Sequence, residues 1–134
     1  MATVELTAAD FEQTLSDNDI VLVDWWASWC GPCRMFAPVY EAASQTHGDV
    51  VFGKVDTEAE RELSGAAQIM SIPTLMAFRD GILVHEQAGA LPGPALEQVI
   101  AAVRELDMDD VRTRLAEQQV LGQDGPSAGA EVSR

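Results

Sequence analysis

The chain has 134 residues, 22 acidic against 8 basic side chains, and a formal net charge of −14. That length accommodates one domain with a tail, and 47% apolar residues are enough to fill one core. An anionic excess of this size repels phosphate backbones and anionic lipid, so no nucleic acid and no membrane surface is expected as a partner.

No secretory signal is visible in Met1-Ala2-Thr3-Val4-Glu5-Leu6, which lacks a basic segment followed by an apolar run. Asp24, Lys54 and Arg79 interrupt the longest apolar stretches before any reaches membrane-spanning length. A cytoplasmic location is therefore expected. In that compartment a cysteine pair is more often redox-active or metal-bound than structural.

In chain order, Thr3-Val4-Glu5-Leu6 reads as an edge strand. Thr7 is placed to cap a short helix with Asp10 in its first turn and Phe11 and Leu15 on its inner face. Ile20 to Trp26 is a buried strand, apolar throughout except for Asp24. A turn from Ala27 to Pro32 leads into a helix that starts near Cys30 or Pro32 and ends at His47, with Pro38 expected to kink it. Val50 to Val55 is a second buried strand, and Glu58 to Gln68 a third helix with Leu63, Ala66 and Ala67 facing in. Thr74 to Phe78 and Ile82 to Glu86 form an antiparallel hairpin across Asp80-Gly81. Pro92 and Pro94 precede a helix carrying Leu96, Val99, Ile100 and Val103 on one face. Asp107 can cap a last helix from Met108 to about Val120, with Met108, Val111 and Leu115 on one stripe. Gly122 to Arg134 reads as a disordered tail. The fold class is α/β: a mixed central sheet, parallel where helices cross over and antiparallel at the hairpin, with helices on both faces. Residues 1–106 make the domain, 107–121 an extra helix and 122–134 the tail.

Trp29-Cys30-Gly31-Pro32-Cys33 carries the chemistry. Two intervening residues let the sulfurs close a small ring. A strand-to-helix turn puts Cys30 at a helix N-terminus, where unpaired N–H groups and the helix dipole favour a thiolate. A thiolate attacks a disulfide; Cys33, one turn on, is close enough to attack the mixed disulfide that results. Zinc is the rival, because C-x-x-C is half of a four-ligand site. The other half is missing: there is no second C-x-x-C, and His47 and His85 lie far apart in the sequence. A pair of buried free thiols is the remaining alternative.

Several separated segments together resemble the thioredoxin family. Val23 to Arg34 resembles its active-site segment, Ala37-Pro38 its kinked second helix and Lys54-Val55-Asp56 its third strand. Ile72-Pro73-Thr74 resembles its cis-proline loop and Gly89-Ala90 its late glycine turn. The likeness spans residue 5 to about residue 105. It implies a thioredoxin fold and a protein-disulfide reductase that carries electrons on Cys30 and Cys33 and needs no bound cofactor. Asp24, costly to bury as an anion, is then the proton acceptor for Cys33, through water, with a raised pKa. Lys54 would bring its ammonium to Asp24. The Ile72–Pro73 bond would be cis and face Cys30, with the Ile72 backbone pairing an extended substrate segment. Trp29, Gly31, Pro32, Gly89 and Ala90 would complete the docking surface, while Trp26 shapes the site from the core. The implied partners are disulfide-containing proteins and a flavoprotein thioredoxin reductase drawing on NADPH.

Two departures from the family pattern stand out: Ser71 where glycine is common before Ile-Pro, and Pro92 where a capping serine is common. A binding module that uses the extra helix, and an oxidase or isomerase running the same chemistry in reverse, are the alternatives to a reductase.

Overall fold

The computed structural model describes residues 2–124. Five strands form one sheet: β1 (Val4–Glu5), β2 (Ile20–Trp26), β3 (Val51–Asp56), β4 (Thr74–Arg79) and β5 (Ile82–Ala88). Their spatial order is β1-β3-β2-β4-β5, with β1 and β2 parallel to β3 and with β4 antiparallel to both β2 and β5. The mixed sheet and the antiparallel hairpin agree with the sequence. Asp80 and Gly81 at the hairpin tip both have positive φ, 55° and 78°, which glycine and aspartate tolerate best. Around the sheet lie α1 (Phe11–Asp17), α2 (Gly31–Thr46), α3 (Arg61–Ala66) and α4 (Gly93–Glu105).

β2 is central and buried along almost its whole length, which is why its sequence is apolar rather than alternating. Its residues divide by parity. Ile20 and Leu22 join Phe52, Leu75, Phe36 and Tyr40 of α2, and Leu96, Ile100 and Val103 of α4 in one core. Val21, Val23 and Trp25 join Phe11 and Leu15 of α1, Leu6, Val55, Met76 and Phe78 in the other, with Leu63 at its margin. Phe11 packs against Trp25 and Phe78 with ring centroids 5.8 and 6.0 Å apart. α2 passes through Pro38 without ending.

Two of the four helices around the sheet differ from expectation. α1 starts at Phe11, after a turn from Thr7 to Asp10 in which the Thr7 N–H and hydroxyl both donate to Asp10 Oδ1, at 2.7 and 3.3 Å. α3 is only six residues long and begins at Arg61, after a turn in which the Glu58 N–H donates to Asp56 Oδ1 at 2.9 Å. Ala66, expected to face in, is exposed.

The first compact unit ends at Arg104 and a second begins at Glu105. In the second, Asp107 Oδ1 accepts from the N–H groups of Asp109 and Asp110, at 3.1 and 3.3 Å, and caps α5 (Met108–Asp124). α5 thus reaches past the helix end expected near Val120. The rest of the expected tail, 125–134, lies outside the described residues.

Candidate active site

β2 ends at Trp26, where the Thr57 N–H and hydroxyl both donate to the Trp26 carbonyl, at 2.9 and 3.0 Å. The chain turns through Ala27 and enters α2 at Gly31, with Cys30 at the N-cap position and Pro32 in the first turn. The Cys33 N–H points at Cys30 Sγ, 3.2 Å away, so the sulfur takes the capping role that an oxygen usually fills. Cys30 and Cys33 are joined as a disulfide with their Cα atoms 5.2 Å apart. Both residues are buried, packed with Ala27 and flanked by Trp26 and Ile72.

The Ile72–Pro73 peptide is cis, as the resemblance implied. The Ile72 carbonyl oxygen lies 3.8 Å from Cys30 Sγ, which brings this loop to the disulfide. Ser71 joins the same turn, its carbonyl accepting from the Thr74 hydroxyl at 2.6 Å. The Gly89 N–H donates to the Pro73 carbonyl at 2.8 Å, and Gly89 has φ of 100°. That bond ties the Gly89-Ala90 segment to the proline loop; a left-handed residue at this turn is best served by glycine.

Large apolar side chains are exposed near the motif segments in sequence. Trp29 is 65% exposed, and so are two residues that sequence reasoning passed over: Met35 at 72% and Met70 at 93%. Met35 follows Cys33 by two residues and Met70 precedes Ser71 and Ile72. Their signal was present in the sequence, as unbranched apolar side chains flanking the motif segments, but methionine reads first as core.

Asp24, on β2 two residues before Trp26, has no solvent exposure, and neither of its carboxylate oxygens is hydrogen-bonded among the described residues. Burial raises its pKa from 3.8 to about 7; the positive charge of Lys54 opposes the rise and the negative charge of Glu5 adds to it. Near neutral pH the acid and the carboxylate are therefore comparably populated. Lys54 sits directly across the strand pair from Asp24. Its Nζ rests 4.9 Å from the centroid of the Trp26 ring, a cation–π contact on the side chain that also flanks the cysteines. Tyr40, fully buried on α2, donates its hydroxyl to the Gly53 carbonyl at 2.8 Å. Burial, and then the charge of Asp24, push its pKa well above the ordinary value.

The two histidines lie in side-chain networks that include neither cysteine. His47 Nε2 pairs with Glu97 Oε1 at 2.8 Å and its Nδ1 lies 3.0 Å from Arg104; His85 pairs with Gln87 at 2.9 Å. Among the described residues no group of three or more His, Cys, Asp or Glu side chains is arranged to hold a metal ion, and no helix is long and apolar enough to cross a membrane.

Comparison with known proteins agrees with this geometry. The thioredoxin family model matches residues 2–102. The chain belongs to the thioredoxin family. It is a thiol–disulfide oxidoreductase whose redox-active pair is Cys30 and Cys33. A thioredoxin-2 homologue of Streptomyces coelicolor is 58% identical over 118 residues, 88% of each chain. Thioredoxin from Alicyclobacillus acidocaldarius is 44% identical over 103 residues, 76% of this chain and 98% of that one. A mutant thioredoxin from Halobacterium salinarum superposes with a TM-score of 0.74 at 34% identity, covering 78% of this chain and 93% of the other.

Proposed function

We propose that this thioredoxin-family protein is a reductase of protein disulfides, with Cys30 the nucleophile and Cys33 the resolving thiol. The carrying observation is the Cys33 N–H aimed at Cys30 Sγ from 3.2 Å at the start of α2. An N–H donor and the positive end of a helix both stabilise negative charge, and both act on Cys30. In the reduced protein the Cys30 thiolate attacks one sulfur of a substrate disulfide. A Cys30–substrate disulfide forms, and the other substrate sulfur leaves as a thiolate that takes up a proton. Cys33 then gives its proton to the Asp24 carboxylate, through water, and attacks Cys30 Sγ. The second substrate sulfur departs, and the Cys30–Cys33 bond holds the two electrons' worth of oxidation. Because the second attack is intramolecular, the mixed disulfide is short-lived.

Asp24 suits this step because a group that titrates near 7 can take a proton and release it within one cycle. Lys54 keeps that titration from rising further. Substrate docks on Trp29, Gly31, Pro32, Pro73, Gly89 and Ala90, with the Ile72 backbone pairing an extended segment. The substrates are disulfide-bearing proteins, the protein works in the cytoplasm, and a flavoprotein thioredoxin reductase fed by NADPH reduces it again.

Trapping tests the assignment. Cys33→Ser, incubated with cell extract, should accumulate mixed disulfides that a reductant releases, whereas Cys30→Ser should accumulate almost none. Equal trapping by the two variants would reverse or abolish the assigned roles.

A further inference from the structure

The residue pairing of three strands puts an additional charge on the site. Glu5 of β1 lies opposite Lys54 of β3, and Lys54 lies opposite Asp24 of β2. Directly paired residues share a face of the sheet. Parity identifies the face: Leu22, Phe52 and Leu75 line the core under α2 and α4, and Asp24 and Lys54 follow Leu22 and Phe52 by two residues. Leu6, next to Glu5, lies in the opposite core. Glu5, Lys54 and Asp24 thus form one row on one side of the sheet, two carboxyl groups flanking the only lysine in the sequence. The ammonium makes its close contact with the Trp26 ring, and Asp24 receives no hydrogen bond from it. Lys54 therefore acts on Asp24 through its field, and a field is shared by every carboxylate nearby.

We propose that Glu5 is a positioning residue of the redox site: across Lys54 from Asp24, its carboxylate competes for the one ammonium on that row and governs how readily Asp24 gives up its proton. This rests on the role assigned above to Asp24 as proton acceptor for Cys33. The other titratable group facing Asp24 is the Tyr40 hydroxyl from α2, which is bound to the Gly53 carbonyl; β4 contributes the uncharged Leu75 to the row. Glu41, also on α2, has its carboxylate engaged by the Thr3 hydroxyl at 3.0 Å and by Gln45 at 2.9 Å. Glu5 is exposed and lies on an edge strand, so its charge is removable without opening the core. Adjacent strands are about 4.8 Å apart, which puts Glu5 and Asp24 about 10 Å from each other across Lys54. That separation is comparable to the Debye length of about 10 Å at 0.1 M salt, so the effect is salt-sensitive.

The test titrates the Asp24 carboxyl carbon by NMR in the full-length oxidised protein, assigned with Asp24→Asn, and measures the pH profile of mixed-disulfide resolution. In Glu5→Gln the Asp24 midpoint should fall by about half a pH unit at low salt, with a smaller shift at 0.5 M salt. Glu5→Lys should lower it further, and Glu5→Asp should keep the wild-type value. The acid limb of the resolution rate, read in a single turnover as decay of the mixed disulfide on Cys30, should move down by the same amount, a gain of about threefold at pH 6. An unchanged midpoint in Glu5→Gln and Glu5→Lys overturns the assignment to Glu5. A midpoint that moves while the rate profile does not overturns Asp24 as the proton acceptor, and removes Glu5 from the redox site with it.

Discussion

Asp24 shows how a single residue ties chemistry to stability. A carboxyl that titrates near 7 in the folded protein and near 3.8 in the unfolded chain carries opposite consequences for each. Below about pH 4 both states hold the proton and Asp24 does not oppose folding. Between about pH 4 and 7 the folded state holds a proton that the unfolded state has released, so stability falls as pH rises. Above about pH 8 the loss levels off, at about 4 kcal/mol in total, since each pH unit of difference is worth 1.36 kcal/mol. Asp24→Asn removes this dependence. Urea unfolding at pH 5 and pH 8 should show the variant gaining about 3 kcal/mol on the wild type between the two. The same substitution should slow resolution of the mixed disulfide, so the more stable protein is the poorer reductase. The stability cost of this buried carboxyl accords with the proton-accepting role proposed for it.

At the scale of elements, the motif segments were legible because each carries its own local physics: Pro32 in a first turn, Gly89 at positive φ, an apolar run for β2. Where the sequence misled, a competing local bond decided. Thr7 is expected from the sequence to cap with its hydroxyl, yet it is the Asp10 side chain that accepts from the Thr7 N–H and hydroxyl, in a turn that precedes α1. Asp56 similarly draws in the Glu58 N–H and shortens α3. Glu5 was not legible at all, because its relation to Asp24 runs through the pairing of three strands far apart in sequence. Gly53 is a similar case. Any Cβ there would meet the Leu6 side chain and would lie 3.3 Å from the Leu22 carbonyl, so glycine is what lets β1 and the buried Leu6 close over β3. Gly53→Ala should lower stability by about 1–3 kcal/mol, read as a drop in thermal midpoint. Gly31, with nothing within 4 Å of the same built position, should accept alanine with no loss of stability, or a small gain from helix propensity.

At the scale of the whole molecule the decisive quantity is the charge of −14, in a protein that exposes the apolar Trp29 beside its redox pair. Trp29 and Met35, close to the pair in sequence, are exposed apolar side chains that discriminate by shape and contact area. Arg34, the basic residue nearest the pair in sequence, has its guanidinium held by the Ser28 carbonyl at 2.9 Å. Arg34 keeps its positive charge in that bond, so long-range attraction or repulsion is set by the protein's net acidic charge, with this one cation opposing it beside the pair. Two substrate proteins of opposite net charge but similar disulfide exposure should then respond oppositely to salt. Between about 20 and 200 mM salt, the second-order rate constant for reducing the basic one should fall by up to about tenfold, and that for the acidic one should rise. Rates measured for both across that range check this directly. Salt-independent rates for both would mean that capture is governed by apolar contact alone, with the charge serving solubility and not partner choice.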